Sequence, residues 1–457
     1  MSKNLLLLLL LCLSLLPACE QRQKPADPEA ENKTFSLEEL QRRNFMYFYD
    51  LAHPETGLIP DRWPAESFSS IAACGFGLTS YIVGVENKWI TRASAAERSH
   101  KMLKFLWELP QGEGKTGIAG YKGLFYHFLN MNDGIRFKDV ELSNIDTGLL
   151  MAGVLSSQVY FDGKDSTETQ IRALADSLYR RVEWGYNLQP DNLLCMGWSP
   201  ERGFISNKWS GYNEGMILYI LALGSPTHPL PAASWEQWCK TYVWAPFEGQ
   251  PEHVNFGMLF GHQYSHMYVD FRGIQDPYMK AKGSDYFINS RTATLSNRAF
   301  CIRNPNGYEG YGENQWGLTA CDGPKDTVAV IAGKERQFRG YFARGAAAME
   351  QPDDGTIAPT AAGGSIPFAP EVCLPALEYM WATHYDKLVG PYGFKDAFNL
   401  TFPGGWYDKD YLGIDQGPFV IQIQNHKDGL IWDLMKKSPY IREGLSKAGF
   451  AGGWLEK

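Results

Sequence analysis

Four stretches of the sequence combine carboxylate side chains with glycine and aromatic residues, a combination suited to acid–base chemistry. They are FKDVELSNIDTGLL, with Asp139, Glu141 and Asp146; KWSGYNEGM, with Glu214; YEGYGENQWGLTACDGP, with Glu309, Glu313 and Asp322; and GGWYDKDYLGIDQGP, with Asp408, Asp410 and Asp415. Hydrolysis of a glycosidic bond needs one carboxylic acid that protonates the leaving oxygen and one carboxylate that activates water or attacks the anomeric carbon. Acids on separate loops that face one cleft would supply both.

Each of these carboxylates also has a purely structural interpretation. Ser143 and Asp146 stand three residues apart in SNID, which is the spacing of a helix-capping arrangement. Glu141 fits a solvated surface acid, Glu214 fits a favourable partner of a helix dipole, and Asp415, before an apolar run, fits a helix N-cap. Any single acid is therefore weak evidence for catalysis, whereas four clusters together favour a catalytic cleft.

The aromatic content favours a carbohydrate ligand, because flat aromatic faces stack on sugar rings. Aromatic residues make up 14% of the chain, with 14 Trp and 24 Tyr, although a bulky core accounts for part of them. His262 and His266, four apart in GHQYSH, have the spacing of some metal-binding pairs, but the Glu of an HExxH motif is absent. We expect these histidines to stack or hydrogen-bond in the cleft, and we predict no metal ligand.

Apolar runs of helical length recur along the chain, separated by long segments rich in Gly, Pro and aromatic residues. The runs cover residues 37–52, 67–87, 92–108, 143–161, 168–187, 212–223, 257–269, 284–302, 337–350, 371–386, 415–426 and 429–436. Strands do not alternate with these runs as they would in a doubly wound sheet. The pattern predicts an all-α fold.

Helices of this number, many apolar on most faces, indicate an (α/α)6 toroid, a double-layered helical barrel whose loops gather as a site. A helical solenoid is the second choice, although no repeat of fixed period supports it. Short β-hairpins are expected in the loops. The segment GYKGLFYHFLNMNDGIRF is the best candidate, because it has strand alternation and an Asn-Asp-Gly turn.

The first residues have the features of a bacterial lipoprotein signal. MSKNLLLLLLLCLSLLPAC has a basic start, an apolar run and a small-residue box that ends at Cys19. We predict a signal peptide at 1–18, lipid attachment at Cys19, a flexible tether at 19–33 and one catalytic domain at 34–457. The expected location is the periplasmic side or cell surface of the outer membrane. Ordinary secretion with cleavage elsewhere is the alternative.

Charge and cysteine content argue against two classes of protein. The net charge is −8 and no long basic stripe is present, so nucleic acid is not an expected partner. Six cysteines follow Cys19, without CxxC spacing and too sparsely for a disulfide scaffold. We expect most of them to be buried thiols, and Cys301 with Cys321 is the pair to test as a disulfide.

Five long motifs, in a fixed order, resemble one known family. They are SGYNEGMILYILALGSPTHPLP, GHQYSHMYVDFRG, YGENQWGLTACDGP, SIPFAPEV and GIDQGPFVIQIQNH. Together they resemble the glucoamylase-like family that includes glycoside hydrolase family 144, the bacterial β-1,2-glucanases. The resemblance extends from about Leu37 to Gly453, nearly the whole chain beyond the predicted tether.

This resemblance implies an (α/α)6 barrel and inverting hydrolysis of β-1,2-glucan, with no metal or organic cofactor in the chemistry. By motif, Glu214 falls at the family's general acid, Asp146 and Glu141 in its acidic cleft segment, and Asp415 in a further segment that lines the site. We expect these four to be the catalytic residues, with the base left open. The side chains expected to bind substrate are Trp209, Tyr212, His262, Gln263, Tyr311, Glu313, Trp316, Asp322, Trp406 and Tyr407.

The sequence therefore predicts a monomeric, lipid-anchored β-1,2-glucan hydrolase that cuts internally or releases sophorose from a chain end. Two alternatives stay open: a non-catalytic glycan-binding lipoprotein, and an α-glucan glucoamylase on the same barrel. The abundance of acids argues against a binding protein, since binding alone needs few. A polysaccharide lyase is a third alternative, but an acidic cleft would repel an acidic sugar.

Overall fold

The computed structural model describes residues Lys33 to Glu456. The predicted signal peptide at 1–18, the lipidation site Cys19 and all of the predicted tether except Lys33 lie outside the described residues. From Phe35 onward the described chain forms one compact unit. No helix in this described part is both long enough and apolar enough to cross a bilayer. The domain bounds drawn from the sequence stay a prediction.

The described residues form 15 α-helices, which confirms the prediction of a helix-rich chain. In chain order they are α1 Leu37–Asp50, α2 Ile71–Glu86, α3 Arg92–Glu108, α4 Asn144–Tyr160, α5 Ser166–Arg180, α6 Gly215–Gly224, α7 Ala233–Cys239, α8 Tyr264–Tyr268, α9 Pro277–Lys282, α10 Tyr286–Arg303, α11 Pro359–Gly363, α12 Pro370–Leu388, α13 Gly413–Lys427, α14 Leu430–Met435 and α15 Pro439–Lys447. Short 3₁₀ helices span Trp184–Asn187, Leu259–His262 and Gly453–Glu456.

The strands are short and lie in the connections between helices, where β-hairpins were predicted. They are β1 Arg62–Trp63, β2 Ser69–Ser70, β3 Gly120–Tyr121, β4 Leu124–Tyr126, β5 Phe128–Leu129, β6 Leu142–Ser143, β7 Gly197–Ser199, β8 Gly203–Phe204, β9 Trp244–Phe247, β10 Gln250–Val254, β11 Ala320–Cys321, β12 Thr327–Ile331, β13 Lys334–Phe338, β14 Phe342–Ala343, β15 Val389–Gly390, β16 Gly393–Phe394, β17 Phe398–Asn399, β18 Trp406–Tyr407 and β19 Tyr411–Leu412. Strands β3, β4, β6, β7 and β8 form one antiparallel sheet, and the others pair in twos.

The hairpin predicted after residue 119 is present, but its turn differs. Strands β3 and β4 pair Tyr121 with Leu124, so the tight turn falls at Lys122 and Gly123. Both residues have positive φ, 59° and 78°, and a glycine adopts that conformation without steric cost. The Asn-Asp-Gly segment instead lies within a second, looser turn, closed by a bridge between Leu129 and Arg136.

Four helices, α2, α4, α6 and α13, are buried on nearly every face, as their continuous apolar sequences require. They pack side by side in the order α13, α2, α4, α6. Helices α1, α3, α5 and α15 pack against them and keep exposed faces. This part of the molecule thus has a buried layer of helices inside an amphipathic layer.

Helices α2 and α4 touch through two glycines. A Cβ added to Gly153 would lie 2.0 Å from the carbonyl oxygen of Gly75, and one added to Gly75 would lie 2.4 Å from the carbonyl oxygen of Leu149. Because real Cβ atoms do not approach so closely, only glycine lets these backbones meet. The contact fixes where the first turn of α4 lies, which matters because that turn carries Asp146.

The helix predicted at 337–350 is wrong. In the structure this segment contains the end of β13, then β14, and an irregular loop that runs back to the core. Its Arg344 side chain is 1% exposed and binds Asp354 while donating hydrogen bonds to carbonyl oxygens of the same loop. A buried guanidinium with these partners organises a loop, not a helix.

All six cysteines within the described residues are buried and free. Cys301 and Cys321 therefore form no disulfide in the structure. Burial raises the pKa of the Cys301 thiol far above its ordinary value, so it behaves as a small apolar side chain.

Candidate active site

The four predicted catalytic carboxylates line one cavity of about 320 Å³. Asp146 comes from the first turn of α4, Glu214 directly precedes α6, and Asp415 comes from the first turn of α13. Glu141 precedes β6 in the loop before α4. The buried helix layer therefore presents three of its N-terminal ends, each with an acid, to the same space.

Glu214 is at the N-terminal boundary of α6, yet its carboxyl group makes no capping hydrogen bond. Other side chains accept hydrogen bonds from the free N–H groups at the start of α6. Asn213 Oδ1 accepts from the N–H of Gly215 at 2.9 Å, and Ser265 Oγ accepts from the N–H of Ile217 at 2.9 Å. Glu214 Oε2 is buried and has no hydrogen-bond partner. The cap is provided by its neighbours, which leaves the Glu214 carboxyl free to face the cavity.

Burial raises the pKa of Glu214 to about 7, and the negative charge of Asp146 adds to the rise. A hydrogen bond from the backbone of Glu214 itself works in the opposite direction without outweighing burial. The helix N-terminus also favours the charged form, so desolvation is the dominant effect here. At neutral pH a large fraction of Glu214 is protonated, as a general acid must be.

His127 joins Glu141 and Asp146 into one cluster. Its Nδ1 lies 2.8 Å from Glu141 Oε1, and its Nε2 lies 3.6 Å from Asp146 Oδ2. Burial alone would lower the pKa of His127, but Asp146 and Glu141 outweigh burial and raise that pKa to about 9. The imidazole is therefore an imidazolium at neutral pH, held between two carboxylates.

In the His127 cluster the pKa values of Glu141 and Asp146 shift in opposite directions. Burial tends to raise the pKa of Glu141, but the hydrogen bond and charge of His127 reverse this and lower it. Burial raises the pKa of Asp146 despite the opposing effects of His127 and of Ser143, whose hydroxyl donates to Asp146 Oδ2. Ser143 Oγ also accepts from the N–H of Asp146 at 3.2 Å. The predicted capping arrangement is thus present, and Asp146 faces the cavity as well.

Asp415 is the third residue of α13 and is not its N-cap, which is Leu412. Its carboxyl group is 3% exposed and lies in hydrogen-bonding contact with that of Asp396, so one of the two must carry a proton. Burial raises the pKa of both groups, and for Asp396 the nearby charges of Asp415 and Asp322 add to the rise. The N-cap interpretation of Asp415 is therefore wrong, and burial beside another acid is the observed environment.

Aromatic side chains form much of the cavity wall. Trp209 is fixed by a 2.8 Å hydrogen bond from its Nε1 to Asn144 Oδ1, and Phe260 and Tyr264 lie nearby. Tyr341 also lines the cavity but is 57% exposed, which makes it the most solvent-accessible ring of this wall. A flat, half-exposed ring beside buried acids is a surface on which a sugar can stack.

Comparison with known proteins assigns the chain to a family. The Glycoamylase family model, described as "Putative glucoamylase", matches residues 206–439, about half of the chain. The crystal structure of a "putative glucoamylase" from Bacteroides uniformis is 36% identical, with a TM-score of 0.80, and the match covers 92% of this chain and 99% of that one. The chain belongs to the Glycoamylase family. The resemblance found in the sequence motifs is confirmed.

Two relatives of this Glycoamylase chain have named activities. The exo β-1,2-glucooligosaccharide sophorohydrolase (non-reducing end) of Parabacteroides distasonis is 30% identical over 444 residues, or 90% of this chain. This chain spans 57% of the length of that relative. The endo-β-1,2-glucanase of Chitinophaga pinensis, solved with sophorotriose and glucose, is 30% identical with a TM-score of 0.79, over 92% of this chain and all of that one.

Four side chains expected to bind substrate lie in the core of the Glycoamylase chain, and these assignments are corrected. Tyr212, His262, Gln263 and Trp316 are each at most 1% exposed. The ring of Tyr212 stacks on those of His262 and Trp238, and Gln263 donates to a carbonyl oxygen of α11. Because these four side chains are buried, a sugar cannot reach them.

The histidine pair of GHQYSH is buried as well. His262 Nε2 lies 3.2 Å from the carbonyl oxygen of Phe256, and His266 Nε2 lies 3.0 Å from Ser290 Oγ. Burial lowers the pKa of each histidine to about 3, so both rings are neutral. The expected contact of His262 with a ligand in the cleft is replaced by packing inside the helix layer.

The remaining predicted binding residues, apart from Trp209, are not among the described residues that line the cavity. Glu313 is exposed and pairs with Arg298. The other four have partners of their own: Tyr311 with Asp353, Tyr407 with His384, Trp406 with Asn399 across β17 and β18, and Asp322 with Arg62. Asp322 instead belongs to a second group of acids, with Asp396 and Asp408, that adjoins Asp415.

Sequence reasoning missed His127 and Tyr341. His127 stands in the strand-like FYHFL run, and the N–H of its backbone donates to the carbonyl oxygen of Glu141. A prediction of that strand pairing would have placed the histidine beside the acid. Tyr341 gave no usable signal, because its segment was assigned to a helix.

Proposed function

We propose that this chain is a glycoside hydrolase that cleaves β-1,2-glucan by an inverting mechanism, with Glu214 as general acid. The observation that carries the proposal is the buried Glu214 carboxyl, without a hydrogen-bond partner, in a cavity that it shares with three further acids. The named activities of the Parabacteroides and Chitinophaga relatives support β-1,2-glucan as substrate. A binding protein would have no need for an acid kept protonated near neutral pH.

In this proposal the Glu214 carboxyl donates its proton to the glycosidic oxygen as the bond to the anomeric carbon breaks. The proton starts on a desolvated carboxyl group, which holds it more tightly than the same group in water and therefore still carries it near neutral pH. After the step Glu214 is a carboxylate, and the N-terminus of α6 then stabilises its charge. The N-terminus of α6 therefore stabilises the Glu214 carboxylate formed by the step more than the protonated Glu214 present before it.

We assign the base to Glu141 within the His127 cluster. An acid and a base are recognised by environments that push their pKa values apart. Glu141 has a lowered pKa and Glu214 has a raised one. Near neutral pH Glu141 is therefore ionised while a large fraction of Glu214 is protonated. Glu141 would remove a proton from the water that attacks the anomeric carbon, and Asp146 would hold the His127 imidazolium in place.

We further propose that the helices form a closed (α/α)6 toroid. The succession of α13, α2, α4 and α6 supports it, since each buried helix packs against the next. Helix α8 packs on α6 and α13, and α11 packs on α13, so these two complete an inner set of six. Acids at the starts of three inner helices would then face one mouth of the barrel.

We also propose export and anchoring through a lipid on Cys19, on the basis of the N-terminal sequence alone. The enzyme is expected to act as a monomer, without a cofactor, on glucan outside the inner membrane. This part of the proposal is independent of the cavity.

The decisive experiment is incubation of the purified protein with linear β-1,2-glucan, followed by chromatography of the products. Sophorose alone from early times indicates action at a chain end, and a ladder of oligosaccharides indicates internal cleavage. Starch is the matched substrate control, since turnover of starch would favour the α-glucan alternative. Absence of products from every glucan, with binding retained, would leave only the binding protein.

Stereochemistry and residue roles need two further measurements. An NMR time course should show α-anomer product first, because inversion at a β-linkage produces it. Glu141→Gln, Asp146→Asn and Asp415→Asn should then be compared by pH profile. Only loss of the base removes the acidic limb of kcat/KM, so a limb lost in Asp415→Asn but kept in Glu141→Gln would overturn the assignment.

A further inference from the structure

One aromatic ring of the cavity wall, that of Tyr341, is presented by the short loop between β13 and β14. The side chain lines the cavity together with Ala320 and Asp415, although it is 57% exposed. Among the described residues, no hydrogen-bond partner reaches the Tyr341 hydroxyl. A large ring that is neither buried nor hydrogen-bonded contributes little to the fold, so its position needs another explanation.

A buried ion pair holds the backbone on both sides of Tyr341. Arg344 Nη2 donates to the carbonyl oxygen of Gly340 at 3.0 Å, and Arg344 Nη1 donates to that of Phe342 at 3.1 Å. Asp354 in turn holds the guanidinium through both carboxylate oxygens, at 2.7 and 2.8 Å. The residues before and after Tyr341 are therefore fixed before any ligand arrives.

Gly323 allows this support to pack closely. A Cβ added to Gly323 would lie 2.1 Å from Arg344 Nη2 and 2.3 Å from the carbonyl oxygen of Arg339. Because real Cβ atoms do not approach so closely, only glycine fits beside the guanidinium. The support does not bury Tyr341, since the ring stays exposed, and its effect is to set where the ring stands.

The hydroxyl of Tyr341 lies on the side of the cavity that carries Asp415. Although the side chain is exposed, desolvation around the hydroxyl raises its pKa far above the ordinary value, and the charges of Asp415 and Asp396 add to the rise. The hydroxyl therefore keeps its proton at neutral pH and can donate a hydrogen bond. Tyr341 thus offers a ligand an aromatic face and a free donor.

We propose that Tyr341 positions the substrate, with its ring stacked on one glucose unit of the bound glucan and its hydroxyl donating to a sugar hydroxyl. The inference rests on the proposed function, which supplies the ligand. A pyranose ring matches both features, because it has an apolar C–H face and hydroxyl groups around its edge. The fixed loop lowers the cost of binding, since the backbone that carries the ring is already ordered.

A contact of this kind is made equally before and during the reaction. Its loss should raise KM and leave kcat nearly unchanged, which separates a positioning residue from a residue that takes part in the chemistry. Because the side chain is exposed, its truncation should also leave the melting temperature nearly unchanged.

The test compares Tyr341→Ala and Tyr341→Phe with wild type in hydrolysis of β-1,2-glucan oligosaccharides. Calorimetric titration with the same oligosaccharides, on each variant combined with Glu214→Gln, measures binding without rapid turnover. Tyr341→Ala should raise KM and Kd at least about tenfold, because it loses both the stacked ring and the hydrogen bond, with kcat within about threefold of wild type. Tyr341→Phe keeps the ring and should raise both about two- to fivefold. Tyr379→Ala is the matched control, since that ring of α12 is 44% exposed and does not line the cavity, and it should change neither quantity.

The outcomes separate this inference from the proposed function. An active wild type with unchanged KM and Kd in Tyr341→Ala would overturn the inference alone, as would a loss of kcat at unchanged KM. Tyr341→Phe equal to wild type would overturn the hydroxyl contact. Wild type that neither binds nor cleaves β-1,2-glucan would overturn the proposed function and this inference with it. If Tyr341→Ala does not fold, Tyr341→Leu replaces it, because Leu keeps an apolar side chain without an aromatic face.

Discussion

Replacement of Glu214 by Gln separates a catalytic role from a structural one, because the two roles predict opposite changes in stability. Gln keeps the size of the side chain but cannot donate a proton to the leaving oxygen. Positioned acid catalysis contributes roughly 10²- to 10⁴-fold. We therefore expect Glu214→Gln to lower kcat at least about a hundredfold, which corresponds to about 2.7 kcal/mol of transition-state stabilisation.

The stability change follows from the pKa. Glu214 has a pKa of about 7 in the folded protein against 4.5 ordinarily, so the native state binds a proton more tightly than the unfolded state does. The protein consequently loses stability as the pH rises from 4.5 through about 7. The full loss is at most about 3.4 kcal/mol, from 1.36 kcal/mol per pKa unit. Gln removes this loss, so the variant should be more stable than wild type at pH 8.

The assay is a pair of melting curves at pH 5 and pH 8, combined with kcat on β-1,2-glucan oligosaccharides. For a chain of 457 residues, 1 kcal/mol moves Tm by about 1 °C. We expect Glu214→Gln to melt about 3 °C above wild type at pH 8, with a smaller difference at pH 5. Glu236→Gln, an exposed acid of α7 paired with Lys240, is the control and should change neither quantity.

A helix-dipole role predicts the reverse. If Glu214 only stabilised the start of α6, its replacement would cost about 0.3–1 kcal/mol at pH 8 and leave turnover nearly intact. Near-normal kcat together with a lower Tm would falsify the acid assignment. Wild-type kcat/KM should also fall on the alkaline side of about pH 7, where free Glu214 loses its proton.

Four further predictions concern the scaffold, the His127 cluster and the anchor. Arg344→Ala should destabilise the protein by about 3–5 kcal/mol, because it leaves Asp354 buried and unpaired, and should raise KM by displacing Tyr341; an unchanged melting temperature would contradict this. Gly153→Ala should cost about 1–3 kcal/mol, since its methyl group meets the carbonyl of Gly75, as urea denaturation can check. His127→Gln should shift the acidic limb of kcat/KM to higher pH, because Glu141 loses the charge that lowers its pKa; in wild type that charge disappears as the pH rises through about 9. Cys19→Ala should release the protein from the membrane fraction, and retention of the variant there would show that Cys19 is not the anchor.

The helices were predictable where burial on all faces requires a continuous run of apolar residues. The runs at 143–161 and 212–223 correspond to α4 and α6, because helices enclosed on all faces have few polar residues to blur the pattern. The run at 337–350 failed for the same reason. Gly345, Ala346 and Ala347 are buried in an irregular loop held by Arg344, and composition alone does not distinguish such a loop from a helix.

The acids of the site were easier to predict than its walls. A carboxylate beside an apolar helix start is conspicuous, and all four predicted catalytic acids line the cavity. Tyr212 shares a motif with Glu214, yet its ring lies in the core, as does that of Trp316. Sequence gives the position of an aromatic residue along the chain but not the side of the loop to which its ring turns. The contact between His127 and Glu141, 14 residues apart in the sequence, was also not predictable from the sequence.

The arrangement of caps shows how one helix end can serve both folding and chemistry. A carboxylate at a helix N-terminus is normally used to satisfy the free N–H groups, and that use would hold it charged. In α6 the N–H groups of Gly215 and Ile217 donate hydrogen bonds to Asn213 and Ser265, so Glu214 does not serve as the cap. Burial can then raise its pKa without loss of the helix. The same logic predicts that Asn213→Ala should draw the Glu214 carboxyl towards the exposed N–H of Gly215, lower its pKa, and move the alkaline limb of kcat/KM to lower pH. An alkaline limb that stays at the wild-type pH in Asn213→Ala would mean that the neighbours cap α6 without controlling the protonation of Glu214.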